Sequence, residues 1–165
     1  MARRVIVDSG PLVAFLDRRE AHHAWIAEQA KTLPLPWLLC EAVLAESWHL
    51  LRSLPRAQDA MLEMVESGLL KVEFALTGEI GQLRLLREKY RAIPMSLADA
   101  CLVRMAETFD DHAVCTLDSD FAIYRSTGAN RSCSSLPPDR KPMAIINYRT
   151  GRQGRAERST SILRT

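Results

Sequence analysis

Five carboxylates lie in or against apolar stretches, where carboxylates are costly: Asp8, Glu46, Asp99, Asp118 and Asp120. Asp8 closes Val5-Ile6-Val7, and Glu46 sits between Val43-Leu44-Ala45 and Trp48-His49-Leu50-Leu51. Asp99 lies inside Leu97-Ala98-Asp99-Ala100-Cys101-Leu102-Val103, while Asp118 and Asp120 follow Ala113-Val114-Cys115-Thr116-Leu117. An unpaired carboxylate in such surroundings needs a cationic side chain or a metal ion to offset its lost hydration. No Lys or Arg is interleaved with these acids, so a divalent cation is the natural counter-charge. Carboxylates alone suit hard ions such as Mg2+ or Mn2+. Two such ions, about 4 Å apart, can activate a water and stabilise the leaving oxygen of a phosphodiester.

The elements around these acids alternate between strand-like and helix-like patterns. Residues 4–8 read as a buried strand, and Ser9-Gly10-Pro11 as a turn opening a short helix over 12–16. Helical spacing covers 20–31 and is broken at Pro34-Leu35-Pro36. Trp37-Leu38-Leu39 is a second strand, followed by helices over 41–54 and 55–66, with Gly68 as a stop. A strand over 69–76 leads to a helix over 78–91, for which Thr77 is the expected cap. Ser96 and Asp99 have capping-box spacing at the start of a helix over 96–108. A buried strand over 113–117 and a short helix over 119–124 complete the pattern. Strands alternating with helices imply an α/β fold with a largely parallel central sheet. In such sheets ligands bind beyond the carboxyl ends of the strands, where Asp8 and Asp118 fall.

The chain of 165 residues has the length and composition of one ordinary globular domain. The four cysteines, Cys40, Cys101, Cys115 and Cys133, form no CxxC pair and read as free thiols in a reducing compartment. No apolar run is long enough to span a membrane, and strand-like sequence begins by residue 4, so a cytoplasmic protein with no membrane contact is expected. Net charge of +2 conceals an asymmetry: residues 125–165 carry +7 and residues 1–124 carry −5. A basic end of this kind suits nucleic acid, an acidic partner or simple solvation. The expected organisation is a domain over 1–130 and a weakly ordered basic, Ser/Arg-rich tail over 131–165, with 143–146 as a late candidate strand.

The acids fall into four short motifs that resemble those of the PIN-domain nucleases, especially the toxins of bacterial VapBC toxin–antitoxin pairs. The motifs are Val5-Ile6-Val7-Asp8-Ser9, Val43-Leu44-Ala45-Glu46, Ser96-Leu97-Ala98-Asp99-Ala100 and Thr116-Leu117-Asp118-Ser119-Asp120. They stand in the family's order across residues 4–125. The resemblance implies a three-layer α/β/α, PIN-like domain and an Mg2+- or Mn2+-dependent endoribonuclease acting on single-stranded RNA. It implies catalytic Asp8, Glu46, Asp99 and Asp118, metal contacts from Asp8, Asp99, Asp118 and Asp120, and support from Ser9 and Thr116. It also implies in-line hydrolysis leaving a 5′-phosphate and a 3′-hydroxyl, a homodimer, and a cognate antitoxin. The long basic end departs from the family pattern, in which a final strand closely follows the fourth motif.

Blander roles compete for several of these residues. Asp8 could cap a helix, Asp99 could serve only its capping box, and Asp120 could cap a helix beginning near Phe121. Glu41 and Glu46 are about 140° apart on a helix, so both cannot face one site; Glu46 carries the motif and Glu41 suits a helix N-terminus. Glu46-x-x-His49 is half of a di-iron pattern whose second half is missing, which makes His49 a packed helix residue. His112 reads as a loop residue, and Trp25, Trp37 and Trp48 as core. Arg18, Arg19, Arg104 and Arg125 are candidate phosphate contacts or ordinary solvated charge. Aspartyl-phosphate chemistry at Asp8 would want a second Asp where Gly10 stands. A non-catalytic RNA-binding or protein-interaction module on the same fold is the alternative function.

Overall fold

Val5, Ile6 and Val7 offer no polar side chain to a solvated face, and in the computed structural model all three are buried in β1 (Arg4–Val7). The structure describes residues 4–109, 112–117 and, as backbone, 144–148. β1 is followed by α1 (Ser9–Leu16), α2 (His23–Ala30), β2 (Trp37–Cys40), α3 (Glu41–Leu50) and α4 (Pro55–Glu66). Next come β3 (Leu70–Phe74), a 3-10 turn (Leu76–Glu79), α5 (Ile80–Lys89), α6 (Leu97–Thr108), β4 (His112–Thr116) and β5 (Ala144–Tyr148).

The sheet order is β3-β2-β1-β4-β5. The first four strands are parallel, and β5 pairs antiparallel with β4. β1 is therefore central, in register with β2 through Val5↔Trp37 and with β4 through Val7↔Cys115. Chain crossovers run from β1 toward β2 on one side and reach β4 on the other. The strand order reverses at β1, and such a reversal opens a crevice at the carboxyl ends of the strands.

α6 packs on β1 and β2, α4 on β3, and α1 against β4, α2 and α3. Three helices bury narrow stripes: Val43, Ser47 and Leu51 at α3, Ala57 and Met61 on α4, and Leu83 and Leu86 on α5, which packs on α6. α6 is buried most fully, through Ala98, Ala100, Cys101, Leu102, Val103, Met105 and Ala106. The result is the expected three-layer α/β/α arrangement around a mostly parallel sheet.

Some boundaries differ from the sequence expectation for identifiable reasons. α1 starts at Ser9 rather than Leu12, because Asp8 acts as its N-cap. Thr77 does not cap α5: it lies inside the 3-10 turn, and no side chain caps either element. His112 is no loop residue. It opens β4, opposite Arg4 on β1 and Tyr148 on β5, and is fully buried. β5 takes up the late candidate strand and lies beyond residue 130, while the expected helix over 119–124 falls outside the described residues. Cys40, Cys101 and Cys115 are buried free thiols, and Cys133 falls outside the described residues. Among the described residues no helix is long and apolar enough to cross a membrane.

Gly68 ends α4 with φ of 76°, a left-handed conformation that a Cβ disfavours, with open space where that Cβ would sit. Gly68→Ala should therefore cost about 1 kcal/mol through backbone strain alone. A lower urea midpoint at unchanged m-value checks it; an unchanged midpoint would show that the turn relaxes freely.

Candidate active site

Asp8 stands at the carboxyl end of the central strand, where chain direction changes from strand to helix. Its backbone N–H donates to the Cys115 carbonyl at 3.0 Å, which extends the β1–β4 ladder by one step. Its carbonyl then accepts from the Leu12 N–H at 3.2 Å, the first bond of α1. The residue is fixed from both sides, and its side chain is only 6% exposed. The carboxylate accepts from the Ser9 N–H at 2.6 Å through Oδ1 and from the Thr116 hydroxyl at 2.8 Å through Oδ2. The Ser9 hydroxyl is more distant, at 3.4 Å.

Thr116 is the last residue of β4 and is fully buried. Because β1 and β4 are parallel neighbours in register, their carboxyl ends meet and Thr116 reaches Asp8 across them. Gly10 packs against Leu117 on the same rim: a Cβ at Gly10 would stand 3.4 Å from the Leu117 Cβ. A bulkier residue there would press on the strand end that carries Thr116.

Two further acids come from helices. Asp99 is the N3 residue of α6, and its capping box is complete: Asp99 Oδ2 accepts from the Ser96 N–H at 2.8 Å, and the Ser96 hydroxyl accepts from the Asp99 N–H at 3.0 Å. Capping thus fixes the Asp99 carboxylate and occupies one of its oxygens. Glu46 is half-buried on α3, while Glu41 is exposed at the helix start. The charges of both Asp99 and Glu46 are felt at Asp8.

Electrostatically, Asp8 is held against its own ionisation. Burial raises its carboxyl from the ordinary 3.8 to about 6, opposed by the Thr116 and Ser9 hydrogen bonds and reinforced by the charges of Asp99 and Glu46. The neighbouring Cys115 thiol is pushed up to about 12, mostly by burial and partly by the Asp8 charge. Among the described residues no Lys or Arg forms an ion pair with Asp8, Glu46 or Asp99. Asp99 and Glu46 add like charge to that of Asp8, with no cationic side chain paired to any of the three among the described residues, and carboxylates of this kind are the donor chemistry of a hard divalent ion. Among the described residues no three His, Cys, Asp or Glu side chains stand close enough to hold a metal by themselves. Asp118 and Asp120, the other expected acids, follow directly after Leu117 and lie outside the described residues.

Other candidates are placed elsewhere. Arg19 pairs with Asp17 at 3.1 Å, and Arg104 with Glu79 at 2.6 Å and Glu107 at 3.2 Å, so both guanidiniums are already engaged. Arg18 is exposed and Arg125 lies outside the described residues. Trp37 is buried and Trp25 half-buried, but Trp48 is 43% exposed, against the expectation of a core residue. Val43 and Ser47 set the buried face of α3, and Trp48 stands one residue, about 100°, away from it. His49 is exposed as well rather than packed, and the His23 ring nitrogen Nδ1 lies 2.8 Å from the Ala14 carbonyl.

Fold and site together define an α/β domain with a buried carboxylate, Asp8, at the reversal point of its sheet. The PIN domain family model matches residues 5–126, and the chain belongs to that family. The crystal structure of Mycobacterium tuberculosis VapC20, a sarcin-ricin loop cleaving toxin, is similar with a TM-score of 0.63 at 20% sequence identity. The match covers 73% of this chain and 95% of that one. No curated protein matches the chain.

The raised Asp8 pKa has a consequence for stability. The folded protein keeps the Asp8 proton up to about 6, the unfolded chain only to about 3.8. Stability from this group is therefore full below the unfolded value and lost as pH rises through the folded one. By linkage the loss at neutral pH is on the order of 3 kcal/mol. Asp8→Asn removes the charge and keeps a favoured N-cap residue, so without divalent ions it should gain about 1–3 kcal/mol near pH 7.5. The gain should vanish near pH 4, as chemical denaturation in EDTA at the two pH values would show. Equal stability of both proteins at neutral pH would contradict the desolvated site.

Removing the Thr116 hydroxyl should act oppositely. Thr116→Val takes away a donor that favours the charged carboxylate, so Asp8 should titrate higher still and neutral-pH stability should fall by about 1–2 kcal/mol. Carboxyl-carbon NMR titration of Asp8 reads this directly; an unmoved midpoint would mean the hydroxyl does not hold the charge.

Proposed function

We propose that this protein is a divalent-metal-dependent endoribonuclease of single-stranded RNA, the toxin of a toxin–antitoxin pair. The observation that carries this reading is the Asp8 carboxylate: buried, hydrogen-bonded by Ser9 and Thr116, beside Asp99 and Glu46, and with no cationic side chain paired to it among the described residues. Membership of the PIN domain family and the likeness in fold to a sarcin-ricin loop cleaving toxin support it.

In this reading Asp8, Asp99 and Asp118 hold Mg2+ or Mn2+, Asp120 contributes to the same site, and Glu46 sets its charge. The ion, when bound, offsets the acids' mutual repulsion and supplies the Lewis acidity that phosphodiester hydrolysis requires. Thr116 and the Ser9 N–H keep the Asp8 carboxylate in one orientation and favour its ionised form. The capping box does the same for Asp99, leaving its second oxygen outside the box. Glu46 and Asp99 repel the phosphate backbone until a cation is present, so RNA engages productively only with the loaded site. The partners proposed are the RNA, a second copy of the chain and an antitoxin.

Purified protein should cleave RNA in Mg2+ or Mn2+, with the sarcin-ricin loop of ribosomal RNA as the first substrate to test. EDTA should abolish cleavage, and Asp8→Asn should lower it by at least about 100-fold while the fold is kept. Activity surviving both treatments would sink the mechanism. Calorimetry showing no Mg2+ or Mn2+ binding at millimolar concentration would favour the non-catalytic RNA-binding or protein-interaction module instead.

A further inference from the structure

α5 buries Leu83, Leu86 and Tyr90 against α6 and turns Arg84 and Arg87 outward, with Arg91 exposed in the turn beyond it. Arg84 and Arg87 lie about one turn apart on α5 and Arg91 follows just past its end, so three exposed guanidiniums line the C-terminal half of the helix and the turn beyond it. Residues 84–91 hold Arg84, Arg87, Lys89 and Arg91 against the single acid Glu88. The rest of residues 1–124 carries a net −8, so the stripe stands against a body of opposite sign.

Basic residues in a last helical turn often do no more than complement the helix dipole. That accounts for Arg87 and Lys89 but not for Arg84, a turn earlier, or Arg91, beyond the helix end. Among the described residues neither Arg84 nor Arg87 pairs with an acid. The Arg91–Glu88 pair, at 3.3 Å, is open to solvent on both sides and is worth little against a phosphate.

The stripe ends in a cleft of about 230 Å³ lined by Arg87, Glu88, Tyr90, Arg91, Ile93 and Met95. Tyr90 is among its lining residues, and the Lys89 ammonium lies 4.9 Å from the Tyr90 ring centroid. Met95 adjoins Ser96, whose N–H holds Asp99. The short 90–96 connector joins the cationic end of α5, which packs on α6, to the α6 start that presents Asp99.

We infer that the Arg84-Arg87-Arg91 stripe and its cleft are the track along which single-stranded RNA reaches the carboxylate site. The inference rests on the ribonuclease reading above. Its chemistry is phosphate pairing by exposed guanidiniums over a length matching two or three phosphates, with no base readout required.

The test uses the full chain carrying Asp8→Asn, so that RNA is bound without being cut, and a fluorescently labelled single-stranded RNA. Arg84→Ala/Arg87→Ala/Arg91→Ala should weaken binding by at least about tenfold and lower the slope of log affinity against log salt by about 2. Arg52→Ala/Arg56→Ala, an exposed pair in the α3–α4 turn and the first turn of α4, is the charge control and should change binding less than about twofold. With Asp8 intact, the triple variant should raise KM for RNA and leave kcat within about twofold. Circular dichroism verifies that the exposed alanines keep the fold. Unchanged affinity and slope in the triple variant, with wild-type cleavage intact, would overturn the track and leave the ribonuclease reading standing. Equal weakening by the control would overturn it too, by reducing it to overall charge. A wild-type chain that neither binds nor cuts RNA would overturn both.

Discussion

The structure turns on one desolvated carboxylate. Asp8 is placed where a buried strand must become a helix, and its backbone is committed to both elements. The side chain has no freedom to reach solvent, so its charge must be met locally. Two hydrogen bonds, from Ser9 and Thr116, meet part of it; burial and two acidic neighbours more than cancel that help. The site is thermodynamically unfinished as an assembly of side chains. That imbalance follows from backbone geometry more than from any single contact.

The sheet topology explains why the partners arrive from distant sequence. β1 sits between β2 and β4, and the crossovers diverge there. α3 follows β2 and carries Glu46; α6 precedes β4 and carries Asp99. Both helices pack at β2, and α6 also at β1. Each acid is positioned by a rigid element rather than by a loop, and each of those elements is anchored through fully buried apolar residues such as Val43 and Leu102. The capping box adds a second constraint on Asp99, since the bond that starts α6 also orients its carboxylate.

Much of this was legible from the residues. The run Val5-Ile6-Val7 could only be a buried strand, and the Ser96/Asp99 spacing marked the helix start at which a capping box stands. The helical period showed that Glu41 and Glu46 cannot face one site, the motif pointed to Glu46, and Glu41 is the exposed one. What was not legible depended on tertiary neighbours. His112 looked like loop until β1 and β5 closed on both sides of β4. Trp48 looked like core because its size suggests it, but Val43 and Ser47 decide which face of α3 is buried. Thr77 lost its cap to a 3-10 turn that local sequence does not announce. The α5 arginines carried a readable signal, the complement of the Leu83-Leu86-Tyr90 stripe, but the packing of that stripe on α6 is a tertiary fact.

The bond between Thr116 and Asp8 spans 108 positions of sequence. During synthesis Asp8 therefore emerges long before the strand that completes its surroundings. β1 can pair with β2 early, but its other edge stays open until β4 arrives. Until then the carboxylate lacks its hydroxyl partner and the wall that dries it. The surroundings of Asp8 are therefore a property of the nearly finished molecule. The wide spacing of the motifs acts as a timer, set by the order in which parallel strands are delivered.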